Sequence, residues 1–295
     1  MFNIITPTYN RKHTLNRVYE SLINQDFKDF NWIIVDDCST DDTTELVNSW
    51  IETNSITIKY FKLERNQGKS AAVNYGLLYC DQPYTIIADS DDSFSAHTLS
   101  DLKEIWESIP ANKNNKTVAS VWTLTKNESG EIVGDTFPED SWLVGFEERV
   151  LKHNIEGEKW ACWRTSILAN QKMYTSEACH IQESHTWNAI NKNYDFLCVN
   201  IAHRCYFSSE DGLIASKKSR KDLAMVYYYG GYYGLKDVPV SEIIKHKFYR
   251  NLAFDYFKSR LLFSDKKHKL SFLKSITSGL IFLIMSPKRL IKKVI

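Results

Sequence analysis

Short apolar runs alternate with amphipathic stretches through the first part of the chain. Phe2-Asn3-Ile4-Ile5-Thr6, Trp32-Ile33-Ile34-Val35, Ile56 to Phe61 and Tyr84-Thr85-Ile86-Ile87-Ala88 read as strands. Between them, Thr14 to Asn24 carries Leu15, Val18 and Leu22 on one helical face. Asp41 to Glu52 spaces Leu46, Val47, Trp50 and Ile51 for a second helix, with Asp41 and Asp42 near its start, where negative charge suits the dipole. Gly68 to Cys80 is a third helix, with Ala71, Ala72, Tyr75 and Leu78 inward. Strand–helix alternation of this kind predicts an α/β fold built on a mostly parallel sheet with right-handed crossovers.

The middle of the chain is less regular. Val118 to Thr125 reads as a strand, Asn127-Glu128-Ser129-Gly130 as a turn, and Glu131-Ile132-Val133 as the return of a hairpin. Ser184 to Asn191 is expected to be helical and Asp195 to Ile201 a strand. After about Lys217 the composition shifts toward tyrosine, lysine and long aliphatic side chains, without clear strands. The tail from Leu270 to Met285 is strongly apolar and lies between Lys266, Lys267, Lys269 and Lys274 on one side and Lys288, Arg289, Lys292 and Lys293 on the other. Its uncharged stretch, Ser275 to Pro287, is shorter than the roughly 20 residues a spanning helix needs. A basic amphipathic helix on an anionic membrane surface is expected, against the alternative of a helix packed on the body or on a dimer partner.

Composition narrows the function classes only modestly. A formal net charge of +1 over 295 residues argues against a nucleic-acid partner. The six cysteines form no Cys-x-x-Cys pair, so neither a zinc ribbon nor a redox motif is expected, and their scatter suits reduced thiols. Phe2 to Thr6 already reads as a core strand, which leaves no room for a signal peptide. A cytoplasmic site is expected, peripheral on the inner face of the cell membrane if the tail binds lipid.

Candidate chemistry gathers where strands end. Asp89-Ser90-Asp91-Asp92 follows the run Tyr84–Ala88. Three carboxylates just past a buried strand repel one another unless a positive charge sits among them. A divalent cation that also holds substrate phosphates is the usual answer. Pro7-Thr8-Tyr9-Asn10 follows the first strand, where its backbone and Tyr9 would meet a base or ribose at the sheet edge. Asp36 and Asp37 follow the second strand and suit hydrogen bonds from a uracil ring or ribose hydroxyls; Asp41 suits a helix start. Gly68-Lys69-Ser70 looks like the end of a phosphate loop, but Leu63 stands where that loop needs a glycine. Lys69 at a helix start still suits a diphosphate.

In this order, Ile5-Thr6-Pro7-Thr8-Tyr9-Asn10, Ile34-Val35-Asp36-Asp37-Cys38-Ser39-Thr40-Asp41-Asp42-Thr43, Asn66-Gln67-Gly68-Lys69-Ser70-Ala71-Ala72-Val73-Asn74 and Asp89-Ser90-Asp91-Asp92 resemble the family 2 glycosyltransferases of GT-A fold. The resemblance covers about the first 125 residues. It implies a Rossmann-like mixed sheet flanked by helices, a nucleotide-sugar donor, a Mg or Mn ion and inversion at the anomeric carbon. Carried over by position, Pro7, Tyr9 and Asp37 contact the nucleoside, Lys69 the donor, Asp89 the ribose or metal, and Asp91 the metal. The family's base is often the aspartate of a Glu-Asp pair at a helix start. Here Ser184 follows Glu183 and the aspartate is absent. A related subgroup has Pro-Glu-Gly at this point followed by a Trp-Asn pair, which Trp187-Asn188 resembles, so the resemblance implies Glu183 as the base, with His185 as the second candidate. Trp187-Asn188, Gly157-Glu158-Lys159 and Glu210-Asp211-Gly212-Leu213 resemble a subgroup of the same family. Trp160 and Trp163 suit either stacking on a sugar or buried packing.

The expected division is a GT-A domain over 1–215, with a nucleotide-binding half to about 125 and an acceptor half beyond, then a helical C-terminal extension over 216–295. The expected reaction is transfer of a sugar, most simply from a UDP-sugar, to a glycan or lipid-linked acceptor in cell-surface polysaccharide synthesis. Rival readings are a phosphohydrolase, a nucleotidyltransferase and a non-catalytic sugar-nucleotide binding module. The first usually places its Asp-x-Asp after its first strand, and the second expects a glycine-rich loop that Thr8-Tyr9-Asn10-Arg11-Lys12 lacks.

Overall fold

The computed structural model describes residues 1–109, 117–153, 155–207 and 219–291, the last five as backbone only. Strand β1 (Phe2–Thr8) is buried at every position. Burial on both faces is what a central strand between helical layers requires. It pairs in parallel with β2 (Phe30–Asp36) and with β4 (Tyr84–Ile87), and β2 pairs in parallel with β3 (Ile58–Lys62). Ile5 lies opposite both Ile33 and Ile87, which fixes the register around one apolar centre. Helices α1 (Lys12–Ile23), α2 (Thr43–Thr53) and α3 (Lys69–Gly76) make the crossovers. The carboxyl ends of β1, β2 and β4 therefore open on the same edge.

Beyond β4 the sheet becomes mixed. The next elements are β5 (Ser93–Phe94), α4 (Thr98–Ser108), β6 (Val118–Asn127), β7 (Ser141–Val144), a π-helical turn (Glu147–His153), β8 (Lys159–Arg164), α5 (Thr165–Gln171), α6 (Ser184–Asn191) and β9 (Asp195–Tyr206). The described strands run β3-β2-β1-β4-β8-β6-β9-β5, with β7 on β9. β8 is antiparallel to both β4 and β6, so the parallel order expected from the sequence holds through β4 and then gives way. β9 runs past Ile201 to Tyr206 because it follows β6 in parallel through register shifts. The expected hairpin return at 131–133 reduces to a single bridge, Lys126 to Ile132. Gly134 and Gly157, both with positive φ, bring two loops into contact: a Cβ on Gly134 would stand 2.4 Å from the Cα of Gly157. Only glycine fits both the crowding and the backbone there.

Four helices follow: α7 (Arg220–Leu235), α8 (Val240–Lys245), α9 (Lys247–Arg260) and α10 (Phe272–Ile291). A capping box between Ser219 and Asp222 starts α7. Tyr228, Tyr249, Phe254, Tyr256, Leu270 and Ile281 form their shared core. α7 meets its neighbours through glycines: a Cβ on Gly231 would lie 2.5 Å from Tyr256 Cβ. α10 packs against α9, with Leu270 and Ile281 buried and Gly279 against Phe257. Its other face leaves Phe272, Leu273, Ile276, Leu280, Leu283 and Ile284 exposed. Lys274 is turned inward and donates to the carbonyl oxygens of Leu235 and Lys236. Among the described residues no helix is long and apolar enough to cross a membrane. No disulfide joins the six cysteines, all of them among the described residues.

Candidate active site

A cavity of about 1250 Å³ opens where β1, β2 and β4 end. Ligands collect at this edge of open α/β sheets. Asn10, with φ of 53°, and Cys38, with φ of 70°, turn the first two loops away from their strands. Asn10 stitches the loops together: its N–H donates to Ser39 Oγ, and its Oδ1 accepts from Thr40 N, both at 2.8 Å. Pro7 and Tyr9 line the cavity, and Tyr9 is exposed.

The two acids after β2 divide their work. Asp36 is buried and accepts from Tyr60 Oη at 2.7 Å and from Ser39 N at 2.7 Å. That accounts for it as a structural group. Asp37 reaches the cavity, and its two oxygens accept from Gln67 N at 2.8 Å and Gly68 N at 2.6 Å. It thereby fixes the loop that starts α3. Each carboxylate oxygen keeps a further lone pair for a ligand. Gly68 has φ of +86° with nothing within 4 Å of a built Cβ, so backbone shape rather than crowding calls for glycine. Asp41 accepts from the N–H and hydroxyl of Thr43 at the start of α2, the helix-start role expected for it.

Lys69, in the first turn of α3, sits between two carboxylates. Its Nζ is 2.6 Å from Asp89 Oδ1 and 2.7 Å from Glu183 Oε1. Burial works against the ammonium charge, but Asp89 and Glu183 outweigh it and hold the pKa well above the ordinary value. Burial likewise opposes ionisation of Asp89. Lys69 and Arg204 overcome that and keep Asp89 below its ordinary value. Asp92 is buried with its Oδ2 2.5 Å from Arg204 Nε. Burial pushes the Asp92 carboxyl up, to about 8, against the pull of that guanidinium. Arg204 also stands 3.8 Å from Asp89 Oδ2 and 3.6 Å from Glu158 Oε2.

Asp91 differs from its neighbours. It lines the cavity, and among the described residues no cation lies within ion-pair distance of it. Burial, then the charge of Asp89, raises its pKa. Oxygen donors with an uncompensated negative charge, facing a cavity, fit a hard divalent cation. No cluster of three or more His, Cys, Asp or Glu side chains among the described residues is arranged to hold a metal ion. One or two carboxylates completed by substrate phosphates is the arrangement magnesium commonly takes, so the residues present fit such an ion.

Glu183 caps α6, where its carbonyl oxygen accepts from Trp187 N at 3.0 Å. The sheet and α6 thus bring the two expected chemical groups, Asp91 and Glu183, into one cavity, with Lys69 bridging Glu183 to Asp89. His185 also reaches the cavity, but it packs on α7, where a Cβ on Gly230 would stand 2.6 Å from its Nε2. Burial lowers its pKa to about 4. Trp163 is fully buried and stacks on Trp187 at 4.3 Å, and Trp160 is buried and donates to Ile87 O. Both are packing residues first. The stretch Glu210-Asp211-Gly212-Leu213 lies outside the described residues.

Arg204 and Arg149 line the cavity without having been picked out in the sequence. Arg204 comes from the extension of β9 beyond Ile201, and Arg149 from the π-helical turn. Neither sits in a motif.

An acid-and-lysine cluster thus stands at the strand ends of a mixed α/β sheet of GT-A type. Residues 3–128 match the family model for Glycosyl transferase family 2. The chain is 27% identical to the GalNAc(5)-diNAcBac-PP-undecaprenol beta-1,3-glucosyltransferase of Campylobacter jejuni, over 99% of this chain and 95% of that protein. It is 35% identical over 103 residues to the poly(ribitol-phosphate) beta-N-acetylglucosaminyltransferase TarS of Staphylococcus aureus, which is 34% of this chain but 18% of that one. In three dimensions it resembles S. aureus TarS in complex with UDP-GlcNAc, with a TM-score of 0.65 at 20% identity over 88% of this chain and 81% of that one. A mannosyltransferase from Pyrobaculum calidifontis in complex with GDP-Man and Mn2+ gives 0.53 at 16% identity, over 98% of this chain and 81% of that one. Residues 3–128 carry the family 2 glycosyltransferase domain, and the chain has a GT-A fold. It is a glycosyltransferase.

Proposed function

We propose that the enzyme transfers one sugar, with inversion, from a UDP-sugar to a glycan or lipid-linked acceptor in cell-surface polysaccharide synthesis. The observation that carries this reading is the Asp89–Lys69–Glu183 bridge at the cavity, with Asp91 beside it. The 27% identity along nearly all of a glucosyltransferase that acts on an undecaprenol-linked saccharide supports the acceptor class. The fold shared with a UDP-GlcNAc complex supports the donor.

In this reading Pro7, Tyr9 and Asp37 hold the nucleoside at the ends of β1 and β2. A Mg or Mn ion bound by Asp91, with Asp89 adjacent, would neutralise the departing diphosphate without supplying a proton. Lys69 serves donor and base together. A diphosphate in the cavity competes for its Nζ and frees Glu183 from that ion pair to face the acceptor. Glu183 takes the proton of the acceptor hydroxyl on the opposite face of the sugar. His185 is the weaker candidate, because burial that lowers its pKa to about 4 makes it a poor proton acceptor. The exposed face of α10 with Lys266, Lys267 and Lys269 suits an anionic membrane surface and a lipid-linked acceptor.

A thermal-shift series with UDP-, GDP- and dTDP-sugars plus manganese tests the donor. Ligands that bind only the folded form raise its apparent stability. A UDP-sugar is expected to raise Tm most, and more with manganese than with chelator. No shift with any nucleotide sugar would remove the reading.

A further inference from the structure

The two ends of the cavity are electrostatically unlike. At the strand-end side, Lys69 and Arg204 are met by carboxylates. Toward the acceptor half, Arg149 and Lys159 have no carboxylate within ion-pair distance among the described residues, although the charges of Asp135 and Glu158 act on Lys159. The Arg149 Nε donates to Asn191 Oδ1 at 2.8 Å, and one Nη donates to Asn188 Oδ1 at 2.6 Å. Its guanidinium lies 5.3 Å from the ring centre of Trp122 and 5.1 Å from that of Phe196. Every one of these partners is neutral. Among the described residues no carboxylate pairs with Arg149, and its second Nη makes no hydrogen bond. Lys159 donates from Nζ to the carbonyl oxygens of Glu156 at 2.8 Å and Glu158 at 3.4 Å, and lies over the Phe137 ring. Both cations line the cavity, and both act electrostatically on the Cys198 thiol, so they share one neighbourhood.

A cation taken out of water among amides and rings is costly unless a counter-ion joins it. Burial lowers the pKa of Arg149, to about 10, and that of Lys159 as well. The protein fixes the Arg149 fork with two asparagines of α6, the helix that Glu183 caps, and leaves its counter-ion to come from elsewhere. A clamp between the π-helical turn and α6 alone would not need a charge.

Resting on the glycosyl-transfer reading, we infer that Arg149, with Lys159, forms a subsite for an anionic group, a carboxylate or a phosphate, carried by the sugar substrate. A guanidinium with a free Nη beside aromatic rings suits planar carboxylate or phosphate oxygens. The anion sits either on the donor sugar or on the acceptor.

The test uses the full chain and paired probes. For the donor, UDP-glucuronate is compared with UDP-glucose. For the acceptor, methyl β-glucuronide is compared with methyl β-glucoside, and glycerol 3-phosphate with glycerol, each titrated with and without UDP. Affinities are read by calorimetry or ligand-observed NMR. The expected result is a preference of about tenfold or more for the anionic member in one of these arms, and that arm names the source. Arg149→Gln should remove the preference while leaving UDP affinity unchanged, and Arg149→Lys should keep part of it. Should Arg149→Gln fail to fold, Lys159→Gln, which breaks no side-chain bond to α6, is read in its place and should weaken the preference. Equal binding of charged and neutral twins in every arm would overturn the inference, and so would a preference that survives the folded variant. UDP affinity reports separately on the glycosyl-transfer reading, and the titrations without UDP decide the anion question however UDP behaves.

Discussion

At the scale of single residues, Asp91 is the member of the Asp89–Asp92 cluster that has no ion-pair partner among the described residues. Lys69 and Arg204 neutralise Asp89, Asp92 and Glu183, while burial and Asp89 hold the Asp91 carboxyl above its ordinary pKa. The folded protein therefore binds a proton at Asp91 more readily than the unfolded chain does. Its ionisation opposes folding at neutral pH, and the loss is regained as pH falls through the raised value. Asp91→Asn should consequently leave stability at pH 7 unchanged or slightly higher in urea titration. It should also lower sugar transfer on the order of 100-fold or more by removing a metal ligand. Unaltered turnover would place the metal elsewhere. Glu183→Gln should lower the transfer rate by about 10²- to 10⁴-fold, with donor affinity unchanged or slightly tighter because Lys69 is released. An unaffected rate measured in single turnovers would move the base away from Glu183.

At the scale of elements, α6 carries Glu183 and is held from behind by α7. His185 fills the notch left by Gly230, and Gly231 lets α7 approach Tyr256. Gly231→Ala would set a methyl 2.5 Å from Tyr256 Cβ and 3.1 Å from Leu252 O, partly against backbone. Overpacking of this kind should cost about 1–3 kcal/mol in urea denaturation. His185 gives this contact a pH dependence. Burial lowers its pKa from 6.5 to about 4, so the unfolded chain binds more protons between those values. Its contribution is complete above pH 6.5 and is lost as pH falls toward 4. Unfolding midpoints should decline across that window, and His185→Gln should flatten the decline; an unchanged slope would show that His185 does not titrate there. The elements that carry motifs were legible in the sequence because strand ends and helix starts are local: Asp37, Lys69, Asp91 and Glu183 each lie within a few residues of the strand or helix that positions them. Arg149 and Arg204 were not, since they reach the cavity only through a π-helical turn and a strand extension set by long-range pairing. The mixed part of the sheet that the family resemblance implied begins beyond β4, where β8 inserts antiparallel between β4 and β6, a position no local pattern records.

At the scale of the whole molecule, the C-terminal helices both brace the site and present an apolar face. The sequence offered two readings of the tail, and α10 has features of each: one side packs on α9, and the other exposes Phe272, Ile276, Leu280, Leu283 and Ile284. Lys274, counted among the basic flanks, is spent on α7 carbonyls instead. Removing the helix would strip the α9 core, so the membrane proposal is better tested on the exposed face. Replacing Ile276, Leu280 and Leu283 with serine should leave Tm within a few degrees of wild type and abolish sedimentation with phosphatidylglycerol vesicles. Unchanged sedimentation of the triple variant would remove α10 as the membrane contact.

The central claim is that a diphosphate leaves while a cation held by Asp91 compensates its charge. The direct measurement is UDP release from a UDP-sugar by wild type and Asp91→Asn, each with manganese and with chelator. The account predicts release by wild type with manganese and little in the other three conditions. Release that persists in chelator, or that Asp91→Asn sustains at the wild-type rate, would contradict it.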